Sequence, residues 1–160
     1  IEWDEVKFHG DAYPAYSWCV CAVEVTGDPI TCEYSIDNVW SVFDIGITID
    51  RMLCEGQAEG GLMQGVGHAS IENMEKTKGK LLQANFTDYI IPTSADIPNI
   101  YVDFLDNPSS EGPFGAKGLG EIPLVAVPAA LVAAVEQAFD IDIDRIPVTP
   151  EYILKQKKNK

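Results

Sequence analysis

A carboxylate at the end of a glycine-rich stretch is the group in this sequence best suited to chemistry. Residues 112–121 read GPFGAKGLGE, in which four glycines, one proline and one lysine precede Glu121. Glycine costs about 0.5–1 kcal/mol inside regular structure, so the stretch predicts a tight loop whose bare backbone admits a close neighbour. A carboxylate held at the end of such a loop can act as a general base. The alternative is that Glu121 only caps the following helix or interacts favourably with its dipole.

A second glycine-rich stretch adds two amide side chains. Residues 56–67 read GQAEGGLMQGVG, and a helix here would place Gln57 and Gln64, two turns apart, on one face. Two pairs of glycines are each four residues apart and would strip side chains from the helix surface: Gly56 with Gly60, and Gly61 with Gly65. We expect another backbone or a flat ligand to pack there, the alternative being close helix–sheet packing without a ligand. An amide both donates and accepts hydrogen bonds, which suits a ligand with mixed polar groups.

The composition limits the class of protein. The chain has 160 residues, of which 46% are hydrophobic, and this is typical of one globular domain with a core. Its net charge of −14 argues against binding to nucleic acid or to an anionic membrane. The longest apolar stretch, at 122–135, is interrupted by two prolines and falls short of the roughly 18 residues of a membrane span. We therefore expect no nucleic-acid partner and no membrane span.

The cysteines and histidines do not have the spacing of a zinc site. The four cysteines are Cys19, Cys21, Cys32 and Cys54, and the two histidines are His9 and His68. Cys19 and Cys21 alternate with other residues in an apparent strand, where they would pack as small apolar groups. Because no export signal is visible, we expect reduced thiols and a cytoplasmic location.

Local patterns along the chain predict an α+β fold with a mixed or antiparallel sheet and packed helices. Strands are expected at 19–25, at 31–36 and 39–47 (as one strand or two), and at 81–89, 101–105 and 140–144, with a hairpin joining 19–25 to 31–36. Helices are expected at 50–73, from Pro123 or Pro128 to about residue 139, and briefly after Pro150. The helix near Pro123 is apolar on nearly every side, so it should be buried. An aromatic lead-in at 1–18 should pack on something, and a basic tail at 155–160 should fray.

Four motifs follow one another in an informative order. They are GQAEGGLMQGVG at 56–67, DYIIPTSADIP at 88–98, GPFGAKGLGE at 112–121 and RIPVTPE at 145–151. Together they resemble the C-terminal part of the molybdenum-cofactor-binding subunit of the xanthine dehydrogenase and aldehyde oxidase family, from about residue 13 to residue 151. One departure is ITID at 47–50, which replaces the Asn-Pro type of helix start common in the family, and Asp50 can itself serve as the N-cap.

The resemblance implies a role for each candidate residue. Glu121 would be the active-site base beside molybdenum, Gln57 would contact the pterin cofactor, and Lys117 and Gly118 would be further cofactor contacts. The implied reaction is hydroxylation of an N-heteroaromatic or aldehyde substrate, with water as the oxygen source and a molybdopterin-type molybdenum cofactor supplying the difficult chemistry. Electrons would leave through iron–sulfur clusters to FAD, both carried by partner subunits or domains.

Molybdenum subunits of that family are several times longer than this chain. The resemblance therefore implies that residues 1–160 form one domain, the C-terminal portion of a cofactor-binding unit. We expect a split subunit or a fragment that shares its cofactor with the remainder of the molybdenum subunit. A non-catalytic subunit that completes the fold of a molybdenum-binding partner is the alternative. A nucleotide-binding module is a third reading, and the absence of a GxxxxGK[ST] motif argues against it.

Overall fold

A computed structural model describes residues 3–13 and 15–158 of the chain. The strands are β1 (Trp18–Gly27), β2 (Tyr34–Asp44), β3 (Lys76–Thr77), β4 (Lys80–Leu81) and β5 (Asn99–Leu105). The helices are α1 (Arg51–Ser70), α2 (Ile122–Phe139) and α3 (Pro150–Lys158), and a short 3₁₀ turn lies at Pro113–Gly115. Of the predicted lead-in and tail, residues 1, 2, 14, 159 and 160 lie outside the described residues.

The central sheet has the strand order β1–β2–β5 and is mixed. The hairpin of β1 and β2 is antiparallel, with Trp18 opposite Asp44 and Gly27 opposite Tyr34. β5 lies parallel to β2 on its other side, and α1 lies in the crossover between these two strands. The predicted α+β class with a mixed sheet is therefore confirmed. The segments predicted at 31–36 and 39–47, as one strand or two, form the single strand Tyr34–Asp44, which begins later and ends earlier than predicted.

The helices cover one face of this sheet. α1 packs against α2 and β5, while α2 also packs along β1. One core cluster joins the centre of the sheet to the two helices and includes Val39, Phe43, Leu62 and Val127. A second cluster lies at the far end of α2 and includes Leu131 and Val135 of α2 and Ile153 of α3. The site-bearing segments are thus attached to a layered core formed by the sheet and the helices.

Helix α2 is less buried than the sequence predicts. Its buried residues recur every four positions, at Pro123, Val127, Leu131, Val135 and Phe139, while the side chain of Val125 is 70% exposed. By length and composition alone α2 could cross a membrane, although its longest apolar stretch, at 122–135, is shorter than a membrane span. It packs against α1 and β1 and is 28% buried in the structure, and one helix of this length and composition is weak evidence for a membrane span.

Two predicted strands are wrong. Of the segment 81–89 only Leu81 lies in a strand, as the second residue of β4, which forms a two-stranded ribbon with β3. Residues 140–144 alternate apolar and acidic residues like a strand, but the N–H groups of Ile141 and Ile143 donate to the main-chain and side-chain oxygens of Glu136 on α2. Because these donors are bonded to a helix, the segment adopts no sheet pairing.

The second face of the sheet carries a row of exposed apolar side chains. These are Trp18 and Val20 on β1, Trp40 and Val42 on β2, and Tyr101 and Leu105 on β5. The rings of Trp40 and Tyr101 stack with centroids 5.8 Å apart, which makes the row continuous across the strands. The lead-in aromatics contact one another, as Trp3 does Phe8, and remain exposed. Within the described part of the chain, these surfaces have no cover.

Candidate functional site

The N-terminal half of α1 forms one wall of the site. Asp50 caps the helix by accepting a hydrogen bond from the N–H of Leu53 at 3.1 Å, as predicted. The helical turns that follow place Gly56 with Gly60, and Gln57 with Gln64, each pair on one face as its spacing predicts, and the structure brings both pairs to the same cavity. The side chains of Gln57 and Gln64 are exposed at this surface.

The second glycine pair is covered by α2. A Cβ atom built on Gly61 would lie 2.7 Å from the Cβ of Pro123. A Cβ atom on Gly65 would lie 2.1 Å from Cγ1 of Val127 and 3.1 Å from the main-chain oxygen of Leu124. Close packing of α2 therefore explains this pair without a ligand, and the neighbour is a helix rather than the sheet considered as the alternative.

The first glycine pair is open. A Cβ atom on Gly56 or Gly60 would meet no other atom within 4 Å. A cavity of about 310 Å³ lies beside them, lined by Gly56, Gln57, Gly60, Gly61, Gln64, Gly120, Glu121 and Leu124. The structure thus brings Glu121 and both glutamines to one concave surface, although Glu121 is more than 50 positions from either glutamine in the sequence.

Glu121 stands at the junction of the glycine-rich loop and α2. It occupies the N-cap position of α2, but its side chain makes no capping hydrogen bond. Glu121 is exposed and lines the cavity, and no hydrogen bond or ion pair of its carboxylate is found among the described residues. The alternative of a hydrogen-bonded cap is therefore not supported, while a favourable interaction with the helix dipole remains available.

Gln57 ties the two walls of the cavity together. Its side-chain amide donates to the main-chain oxygen of Gly120 at 2.7 Å. This bond joins α1 to the loop directly before Glu121, so Gln57 and Glu121 hold a defined relation to each other. The amide oxygen of Gln57 remains an acceptor at the cavity.

Lys117 and Gly118 lie off this cavity. The ammonium of Lys117 donates to Oδ1 of Asp44 at 2.7 Å, and both side chains are 10% exposed. The main-chain oxygen of Gly118 accepts a hydrogen bond from Ser17 Oγ at 2.5 Å. The cofactor contacts predicted for these two residues remain predictions.

Asp44 is the charged residue of this region that sequence reasoning missed. It ends β2 and accepts hydrogen bonds from Lys117, from Asn107 Nδ2 at 2.7 Å and from the N–H of Gly46 at 3.2 Å. The bond from Lys117, above all, holds the pKa of Asp44 below its usual value, against the opposing effect of burial. No local sequence motif indicates this ion pair, because Asp44 and Lys117 are 73 positions apart.

The thiols take no part in a metal cluster within residues 3–13 and 15–158. No group of three or more His, Cys, Asp or Glu side chains is placed to hold a metal ion there. The four cysteines are free. Burial, with a smaller effect from Cys19, raises the pKa of Cys21 to about 11, which favours the neutral thiol that packs in the core.

Comparison with known proteins identifies the family. The model of the molybdopterin cofactor-binding domain matches residues 2–98. The chain is 34% identical over 158 residues, 97% of its length, to the aldehyde oxidoreductase of Megalodesulfovibrio gigas, of which this covers 17%. It is 32% identical over 84% of its length to the putative xanthine dehydrogenase molybdenum-binding subunit of Escherichia coli K12, covering 18% of it. The chain therefore belongs to the molybdopterin cofactor-binding domain family, within the molybdenum subunits of the xanthine dehydrogenase and aldehyde oxidase type.

The structures agree. The solved aldehyde oxidoreductase of Desulfovibrio gigas superposes with a TM-score of 0.87 at 32% identity, over 99% of this chain and 17% of that one. The chain thus spans about one sixth of the length of the relatives it matches.

The residues at the cavity fit a flat, polar cofactor. The open backbone at Gly56 and Gly60 leaves a cradle that any side chain would fill. The amides of Gln57 and Gln64 supply donors and acceptors along one wall, and Glu121 supplies a carboxylate at the end. This is the set of groups expected beside a pterin with mixed hydrogen-bonding edges.

Proposed function

We propose that this chain forms one wall of the molybdenum-cofactor site of a hydroxylase, with Glu121 as the general base and Gln57 as a contact of the pterin. The observation that carries the proposal is that both residues face one cavity whose wall is stripped of side chains at Gly56 and Gly60. A purely structural subunit would need neither the open glycines nor an uncapped carboxylate at that place.

The chain's own residues have distinct tasks in this proposal. When bound, the molybdenum cofactor supplies the two-electron chemistry that side chains lack. Glu121, at the N-cap of α2 and free of a capping hydrogen bond, would accept a proton from the water that supplies the oxygen. Gln57 keeps its donor on Gly120, so its bond fixes the base relative to the wall that holds the pterin.

The substrate class we propose is an N-heteroaromatic ring or an aldehyde, hydroxylated with water as the oxygen source. The names of the two relatives, a xanthine dehydrogenase subunit and an aldehyde oxidoreductase, support these two classes. The short polar wall described here supplies the base, and the residues that select a substrate would lie on the other walls of the site.

We propose that the remainder of a molybdenum subunit covers the second face of the sheet, with iron–sulfur and FAD units beyond it. The row from Trp18 to Leu105 is an apolar surface of the kind that marks interaction sites. The relatives contain about five times as much additional chain, which is enough to cover this face. Free thiols support assembly in a reducing cytoplasm.

The test is molybdenum analysis and turnover of the complex that this chain forms with its natural partners. We expect molybdenum and turnover in the wild type, and loss of molybdenum in Gly60→Val, because the branched side chain would enter the cradle. His68→Val is the matched control, since His68 is exposed on the same helix and does not line the cavity. Molybdenum-free assembly of the wild type would support the non-catalytic structural subunit instead.

A further inference from the structure

The glycine-rich loop is anchored by a buried ion pair rather than by surface contacts. The side chains of Lys117 and Asp44 are each 10% exposed, whereas those of Arg51 and Asp103, another ion pair, are 60% and 69% exposed. An exposed ion pair contributes little to the free energy of folding. Removing one member of a buried pair is strongly destabilising, because the remaining charge is left without a partner. The position of Lys117 is therefore strongly determined by Asp44.

The backbone follows the same anchor. The main-chain N–H of Lys117 donates to the oxygen of Ile45 at 2.7 Å, and the N–H of Ile47 donates to the oxygen of Gly115 at 2.9 Å. A Cβ atom on Gly46, whose φ is +71°, would lie 2.2 Å from that same oxygen. The loop thus lies directly against the residues that follow β2, and only glycine at position 46 permits this approach.

The anchor holds both ends of the loop. Asn107, at the start of the loop, donates to the second oxygen of Asp44, while Lys117 binds the first. Only three residues separate Lys117 from Glu121, and the intervening Gly118 and Gly120 have no side chains to pack. The position of Glu121 consequently depends on the anchor at Lys117 and on the bond between Gln57 and Gly120, together with the Ser17–Gly118 hydrogen bond and the packing of Leu119 against the core.

We propose that Asp44, Lys117 and Asn107 form a positioning network that sets Glu121 against the cavity, and that the ammonium of Lys117 serves this network rather than the cofactor. The inference rests on the proposed role of Glu121 as the base. Small displacements of a catalytic group cost large factors in rate, about 10²-fold for 1 Å. Loosening the network should therefore lower the rate of the chemical step more than it lowers substrate binding.

The experiment uses the assembled enzyme that contains this chain. Lys117→Met should lower kcat by about 10–100-fold while KM and molybdenum content stay within about twofold. Hydrogen exchange of the amides at 112–121 should accelerate, while exchange in β1 and α2 should not. Arg51→Met is the matched control, and it removes a cation from the exposed pair with no expected change in either readout.

Asp44→Asn is the second variant and decides the matter if Lys117→Met fails to assemble. In the double variant Asp44→Asn with Lys117→Met, the loss of kcat should be no larger than in the worse single variant. Each substitution disrupts the same ion pair, and the double variant leaves no unpaired charge. Unchanged loop exchange, unchanged kcat, or additive losses would overturn the proposal. Loss of molybdenum in step with turnover would overturn it in favour of a direct cofactor contact.

The two proposals fail separately. If Glu121→Gln keeps full turnover while loop exchange still follows the charge at Lys117, then the base assignment is wrong and the network remains an anchor without a catalytic purpose. If Glu121→Gln abolishes turnover while the loop variants change nothing, the base assignment stands and the positioning role is wrong.

Discussion

The two halves of α1 carry the same sequence signal with opposite structural outcomes. In the C-terminal half, Gly61 and Gly65 are filled by Pro123 and Val127 of α2. In the N-terminal half, Gly56 and Gly60 face open space beside Glu121. Glycine at four-residue spacing thus marks a close approach without saying what approaches. In one half the neighbour is the chain itself, and in the other no atom of the described chain approaches, which is where we propose the cofactor packs.

The reason for the difference is the place where α2 begins. Contacts advance together along both segments, with Gln57 on Gly120, Gly61 against Pro123 and Gly65 against Val127. Before Ile122 the helix is replaced by the glycine-rich loop, which has no side chain at position 120 to fill the space. The cavity is therefore the gap left where a helix gives way to glycine.

The largest expected effect tests the open half. Glu121→Gln keeps the size and the hydrogen-bonding reach of the side chain but cannot take a proton, so turnover of the assembled enzyme should fall by about 10²–10⁴-fold. Molybdenum content should stay normal, and both are measured on one preparation. Glu111→Gln, on an exposed residue of the same loop, is the control and should leave turnover within about twofold. Near-wild-type turnover in Glu121→Gln would remove the catalytic role.

The next effect tests the covered half. Gly65→Ala places a methyl group against Val127 and the main-chain oxygen of Leu124, so α1 and α2 must move apart. We expect a loss of about 1–3 kcal/mol in the free energy of unfolding, as for other overpacked cores. Denaturant unfolding of variant and wild type in the same assembly state measures it. A gain in stability would mean that the helices are not in close contact at this position.

Acid solution tests how the open half is held in place. Because the folded pKa of Asp44 lies below its unfolded value, its contribution to stability is full above about pH 5 and is lost as the pH falls below about 4. The difference in unfolding free energy between wild type and Asp44→Asn should therefore be constant from about pH 7 to pH 5 and shrink below pH 4. Unfolding curves across this range check the sign. A difference that grows in acid would contradict a lowered pKa.

The sequence predicts what is encoded locally. The cap at Asp50, the β1–β2 hairpin and β5 follow from nearby patterns of side chains, and the structure confirms them. Residues 140–144 show the limit, since their alternation is that of a strand but their N–H groups are bonded to Glu136. The periodicity of apolar residues indicates which side chains face the core, but it does not indicate which groups the backbone N–H and C=O groups bond to.

The candidate site likewise contains residues that local sequence patterns identify and residues that they do not. The resemblance and the spacing of glycines single out Gln57 and Glu121, and the structure brings them to one cavity. Asp44 and Asn107 escaped notice because their partners are 73 and 63 positions away in the sequence. A buried charge pair between distant segments leaves no local periodicity, so only the folded chain reveals it.

The smallest expected effect separates the two halves most directly. Gly60→Ala adds the same methyl group as Gly65→Ala but meets no atom within 4 Å, so nothing opposes the better helix propensity of alanine. The free energy of unfolding should rise by up to about 1 kcal/mol, opposite in sign to the change at Gly65. The same denaturant experiment compares the two. If both variants are destabilised alike in protein without bound cofactor, the N-terminal half of α1 is covered by protein rather than left open for a ligand, because only a packed neighbour could then reverse the gain expected of an exposed helical alanine.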